Sequence, residues 1–164
     1  MVEIINNLDI SILNFIRNNF SNLFMDKLMV VITSLGDRGL IWIAMALILL
    51  AIKKYRKIGI ILLIALLITS LIGEGIIKNI VQRPRAFLSY PDIRLLINPP
   101  ESFSFPSGHT ASSFAAAFVL SHYFKKWNFM FYFLAILIAF SRLYLFVHYP
   151  SDTLVGGALG AICG

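Results

Sequence analysis

Three short stretches concentrate side chains able to do chemistry: KNIVQRPR at 78–85, PSGH at 106–109 and SRLYLFVHYPSD at 141–152. Together they offer the cations Lys78, Arg83, Arg85 and Arg142, the imidazoles of His109 and His148, and the carboxylate of Asp152. Cations gathered in one place repel one another unless an anion sits among them. Arginine forks match phosphate oxygens two at a time, and a lysine adds a point charge. The composite is therefore the expected site of a phosphate-like anion. Plainer roles stay open for two of the cations. Lys78 could pair with Glu74 one helical turn earlier, and Arg83 could reach toward lipid headgroups.

PSGH reads as the mouth of a helix. Ser107 is a good N-cap, Gly108 lets a ligand approach the backbone, and the free N–H groups with the helix dipole attract an anion. His109 then stands at the rim of that pocket. In the third stretch Pro150 disfavours helix at Tyr149 and opens a new one, with Asp152 in its first turn. Asp152 can hydrogen-bond one ring nitrogen of His148, which fixes the tautomer and leaves the other nitrogen as a nucleophile. Two histidines and an aspartate could also ligate zinc. The neighbouring cations oppose a dication, so no metal is expected.

The elements that must position these groups belong to a membrane. Of 164 residues, 59% are hydrophobic and 13% charged, and the mean hydropathy is +0.83. A water-soluble domain would carry about a quarter charged residues. Six helices are expected, over 22–35, 38–53, 57–80, 107–124, 127–148 and 151–164. They would form an all-α polytopic membrane bundle, a single domain over 1–164. Several are shorter than the ~20 residues of a full span, so a four-span arrangement with two re-entrant segments is also open. KKYRK (53–57) and KK (125–126) place six basic residues in two short connections, which marks these as cytoplasmic. Parity then carries all three polar stretches to the opposite, extracytoplasmic face, with a loop over 82–106 between the first two.

Residues 1–20 read as an amphipathic interfacial helix with Ile5, Leu8, Ile12, Phe15 and Ile16 on one side, and no cleaved signal is expected. The net charge of +6 does not form a basic run beside aromatic platforms, so no nucleic-acid partner is expected. Cys163 stands alone and cannot form an intramolecular disulfide. His122 follows His109 by thirteen residues, ~20 Å along a helix, and reads as interfacial. Gly156, Gly157 and Gly160 offer a small-residue face for helix packing.

The three stretches resemble the signature of the type-2 phosphatidic acid phosphatase superfamily: a lysine, six residues and Arg-Pro; then PSGH; then Ser-Arg, five residues, His, three residues and Asp. The second and third motifs match in full, as Pro106-Ser107-Gly108-His109 and Ser141-Arg142…His148…Asp152. The first matches as Lys78, six residues and Arg85, with Ala86 in place of the proline; Arg83-Pro84 is a shifted alternative. The resemblance implies a small six-helix lipid phosphatase without cofactor or metal. His148 would attack phosphorus and form a phosphohistidine, with Asp152 orienting it. His109 would protonate the leaving oxygen and then activate water. Lys78, Arg85, Arg142, Ser107 and Gly108, with Arg83 as the shifted candidate, would hold the phosphate oxygens.

The partners so implied are a lipid phosphate or diphosphate and the bilayer of a bacterial inner or plasma membrane, with the site facing the periplasmic side. Undecaprenyl diphosphate, phosphatidylglycerol phosphate, phosphatidic acid and lipid A 1-phosphate all present the required terminal phosphate. The sequence carries no signal for a particular oligomeric state. Two other functions fit the same residues: transfer of the phosphoryl group to an acceptor lipid, and non-catalytic transport of an anion or lipid. The loop LSYPDIRLLINPPESFSF (88–105) is apolar for a loop and is expected to lie on the membrane and shield the site.

Overall fold

The computed structural model describes residues 2–90 and 93–164. Met1 of the expected interfacial segment, and Pro91 and Asp92 of the expected loop, lie outside the described residues. All regular structure among the described residues is helical. The elements are α1 (Val2–Phe20), α2 (Leu23–Leu35), α3 (Leu40–Ala51), α4 (Arg56–Ser70), α5 (Lys78–Val81), α6 (Gly108–Tyr123), α7 (Asn128–Tyr144) and α8 (Pro150–Cys163).

The ends of α5 and α7 and the starts of α6 and α8 carry the polar stretches, and the lysine-bearing turns Lys53–Tyr55 and Lys125–Trp127 lie together at the opposite end, where Tyr55 and Phe124 touch ring to ring at 5.5 Å. Lys53–Ser89 and Lys125–Tyr144 are each long and apolar enough to cross a membrane. Their outward faces remain exposed at helical spacing, Ile60, Ile64, Leu67 and Leu71 on one and Phe129, Phe133 and Ile136 on the other. Such stripes are what lipid would cover. Leu23–Leu35 and Asp37–Ala51 reach that length only together, across a bend of 45°. The expected helices 22–35 and 38–53 are thus two arms joined at a bend. The joint is made by Arg38 and Gly39 in the left-handed region, at φ 51° and 72°.

The fourth helix does not stop at Ser70. It passes through a π-helical segment, Leu71–Ile77, into α5, which ends at Gln82 with φ 49°. Segments of this kind recur at functional sites because they re-aim side chains. Helix α6 runs through the centre, with Ala111, Ala115, Ala116 and Ala117 buried on it. A β-carbon at Gly156 would meet the Ser107 carbonyl at 2.7 Å, and one at Gly160 would overlap the Ala111 carbonyl. Those two glycines let α8 lie backbone to backbone on α6. Gly157 instead faces the Phe114 ring at ordinary contact distance.

Helix α1 is amphipathic with two working faces. Ile5, Leu8, Ile12 and Phe15 are exposed, while Asp9, Leu13 and Ile16 are buried against the bundle. Ile16 thus belongs to the protein-facing side, not to the exposed apolar stripe. Leu13 packs with Ala86, Phe146 and Tyr149, which docks α1 beside the polar stretches.

Candidate active site

A cavity of about 1220 Å³ opens where the helix ends converge. Lys78, Arg85, Gly108, His109, Arg142 and His148 all reach its wall. The remaining wall is largely apolar, from α2, α3, α4 and the loop residues Leu96 and Ile97. Lys78, Arg85 and Arg142 are close enough to repel one another. Each is nearly fully buried, at 4%, 4% and 3% exposure. Buried like charges of this kind are costly without a counter-ion.

The turn after α7 sets the nucleophile candidate. Helix α7 ends at Tyr144, and Phe146 takes φ 60°, a conformation that side chains rarely adopt. Its ring is buried against Tyr90 and Leu13, which holds the turn in place. The chain thereby folds back so that the Arg142 carbonyl accepts from the amides of Val147 and His148. The five residues between Arg142 and His148 are what this turn needs to bring both side chains to one cavity.

His148 is locked on both nitrogens. Arg85 Nη1 lies 3.1 Å from Nε2. A guanidinium only donates, so Nε2 carries the lone pair and the proton belongs on Nδ1. Nδ1 faces the Asp152 carboxylate at 3.5 Å, with the Ser104 hydroxyl beside both, 3.4 Å from Nδ1 and donating to the carboxylate. Asp152 is fully buried and saturated: Oδ2 accepts from Ser104 Oγ and the Tyr149 amide, and Oδ1 from Arg83 at 2.7 Å. Helix α8 starts at Pro150, whose fixed φ suits the first helical position. Asp152 sits in that first turn and also closes the helix end.

Arg85 is aimed by the loop. Its Nε and Nη2 donate to the Ser102 carbonyl and hydroxyl at 2.6 and 3.0 Å, and Nη1 also donates to the Val147 carbonyl at 2.9 Å. No carboxylate among the described residues hydrogen-bonds to it. Arg142 donates to the Thr33 hydroxyl through Nη1, while its buried Nε has no partner among the described residues. An unpaired donor on a buried cation calls for a partner, and a bound anion would supply one.

His109 begins α6 on the far side of the cavity. Its Nε2 lies 2.9 Å from Asp37 Oδ1, across the bend between α2 and α3. A β-carbon at Gly36 would meet the His109 ring at 2.8 Å, so that glycine makes room for it. Lys78 does form the ion pair with Glu74, at 2.6 Å, while still reaching the cavity wall.

Two expected phosphate ligands are directed elsewhere. Arg83 does not line the cavity; it donates to Asp152, Ser151, Asn6 and Asp9 and lies over the Tyr149 ring at 3.9 Å. Two carboxylates already satisfy it, so it ties α1 to the start of α8. The spacing that pairs Lys78 with Arg85 thus selects the arginine at the cavity. Ser107 is fully buried, and its hydroxyl accepts from Thr110 Oγ1 at 3.0 Å and caps the Thr110 amide. Its neighbours Gly108 and His109 in that helix mouth reach the wall. Asp9, Asp37, Ser102 and Ser104 complete the arrangement, though none belongs to the three motif stretches. The one sequence signal for them was a pair of serines two apart, which in an extended loop point to the same side.

A family model described as PAP2 superfamily matches residues 58–164. The chain is 34% identical over 138 residues to an undecaprenyl-diphosphatase of Sulfolobus acidocaldarius, covering 84% of this chain and 66% of that protein. It thus spans just under two thirds of that relative's length. Its fold is similar to the crystal structure of Aquifex aeolicus LpxE, with TM-score 0.83 and 29% identity over 95% of this chain and 92% of that one. It is also similar to a transmembrane PAP2-type phosphatidylglycerolphosphate phosphatase from Bacillus subtilis, with TM-score 0.75 and 26% identity over 96% and 81% of the two chains. The family match covers every residue of the three stretches, and the chain belongs to the PAP2 superfamily.

Proposed function

We propose that this chain removes the terminal phosphate from a lipid phosphate or diphosphate through a phosphohistidine on His148. The observation that carries this is the contact of Arg85 with His148 Nε2. It fixes the lone pair on Nε2, which attack would free from Arg85, and puts a cation without a carboxylate partner beside the attacking nitrogen.

In the first step the Nε2–phosphorus bond forms and the bond from phosphorus to the lipid oxygen breaks. His109 gives its proton to that oxygen. In the second step His109 takes a proton from water, whose oxygen attacks phosphorus and releases Nε2. Lys78, Arg85, Arg142 and the Gly108 amide stabilise the equatorial oxygens, where charge is greatest. Asp152, held by Arg83, Ser104 and the Tyr149 amide, keeps the proton on His148 Nδ1. No step requires a metal.

The apolar remainder of the cavity fits a chain entering from the bilayer. An isoprenoid diphosphate or phosphatidylglycerol phosphate is the favoured substrate, in keeping with what the Sulfolobus and Bacillus relatives are named for. The basic turns at Lys53–Tyr55 and Lys125–Trp127 favour a cytoplasmic location for their end, so the cavity would open at the extracytoplasmic face of the cell membrane. Residues 1–20 and the loop 82–106 would then lie at that surface, as parts of one domain over 1–164.

The test is phosphate release by detergent-purified protein, with a chelator, from undecaprenyl diphosphate, phosphatidylglycerol phosphate, phosphatidic acid and lipid A 1-phosphate. Release is expected to persist in chelator and to disappear in His148→Ala, and the rank order names the lipid. Release that needs added metal, or that survives His148→Ala, overturns the mechanism. Transfer to an added acceptor lipid without free phosphate would mark a phosphotransferase instead.

A further inference from the structure

Glu74 lies in the π-helical segment of an otherwise strongly apolar rod. A carboxylate at such a position carries a cost that calls for a reason. It is placed against the mouth of α6 as well as against Lys78. Its Oε1 is 2.6 Å from Lys78 Nζ. A β-carbon built on Gly108 would overlap that same oxygen and stand 3.1 Å from the carboxylate carbon. Gly108 is the first residue of α6, where unpaired N–H groups and the helix dipole favour an anion. One carboxylate oxygen therefore holds Lys78, which would receive a phosphate oxygen, and stands against the α-carbon of Gly108 at the α6 mouth.

The two partners differ in freedom. The Lys78 side chain is 5% exposed and confined, whereas that of Glu74, which also lines the cavity, is 42% exposed. Lys78 has nowhere to go, and Glu74 can swing out. Resting on the reading that phosphate is held by Lys78 and the Gly108 amide, we propose that Glu74 sets how tightly the cavity holds phosphate. Its carboxylate acts as an internal competitor, which entering phosphate displaces from Lys78 and the α6 mouth. Its return then helps to expel the phosphate product. Affinity for any anion here is reduced by the fraction of time Glu74 is in place.

The experiment measures binding of inorganic phosphate to the full chain in detergent by calorimetry, for wild type, Glu74→Gln, Glu74→Ala and Glu74→Asp. Lipid phosphate hydrolysis is followed in the same preparations. If Glu74 occupies the site about nine-tenths of the time, Glu74→Gln and Glu74→Ala bind phosphate roughly tenfold tighter. Glu74→Asp, which keeps the charge with a shorter reach, falls between them and wild type. It also serves if the neutral variants do not fold. Unchanged or weaker phosphate binding in the variants overturns the proposal, as does the absence of phosphate binding from every protein. Tighter binding in a chain that hydrolyses no lipid phosphate keeps the proposal and removes the phosphatase reading; hydrolysis without tightening does the reverse.

Discussion

The two histidines of the cavity are each paired with a carboxylate, and the pairs are built in opposite ways. Asp152 is fully buried and four donors surround it, counting His148 itself. Asp37 has a side chain 61% exposed, contributed by a joint between two helix arms. One pair is fixed before any ligand arrives, and the other stands at an open edge. A nucleophile gains from a single held geometry. An acid that must serve a leaving oxygen in one step and water in the next gains from access. The contrast teaches which half of the chemistry the fold pre-organises.

The contrast can be broken first at its rigid end. Asp152→Asn is expected to lower turnover by about 10⁴-fold, since the amide can favour the wrong tautomer on His148. Stopped assays on folded protein check this, and a loss under tenfold would mean that the buried carboxylate only holds the helix start. His109→Ala should cost about 10²- to 10³-fold on lipid substrates. The loss should shrink on p-nitrophenyl phosphate, whose leaving group needs no proton. An equal loss on both substrates would place the part played by His109 in the water step or in binding, not in protonating the leaving oxygen. The smallest effects separate the pairs most finely. Ser104→Ala leaves a buried carboxylate one donor short and should lower kcat by about tenfold, while Asp37→Asn should cost less. A larger effect at Asp37 would reverse the comparison.

Much of this arrangement was legible in the sequence, because each motif residue lies next to the local structure that aims it. Pro150 and Asp152 mark a helix start, Ser107 and Gly108 another, and the lysine turns mark the opposite end. The spacing from Lys78 also singles out Arg85 over Arg83, and the structure agrees on which of them faces the cavity. The reason for the other arginine was not legible. Arg83 is explained by Asp9, 74 positions away, and an aspartate on an amphipathic helix looks like part of its polar face. Ser104 and Ser102 lie in a loop where their two-apart spacing is the one pattern to read, and it does not say what they face. Asp37 lies in a turn where aspartate is common for local reasons. The angle of the bend was not legible, because two short apolar runs separated by Gly-Asp-Arg-Gly look alike whether the chain turns back or only changes direction.

The π-helical turns between Ser70 and Lys78 act as a rotary setting for everything beyond them. A residue added to a helix turns the following side chains by ~100° about its axis. Lys78 faces the cavity and Glu74 the α6 mouth at the setting that this segment provides. Shortening Leu71–Ile77 by one residue would leave the rod as apolar and nearly as long. It would also swing the lysine a quarter turn toward the bilayer, so that a change invisible to hydropathy would silence the site.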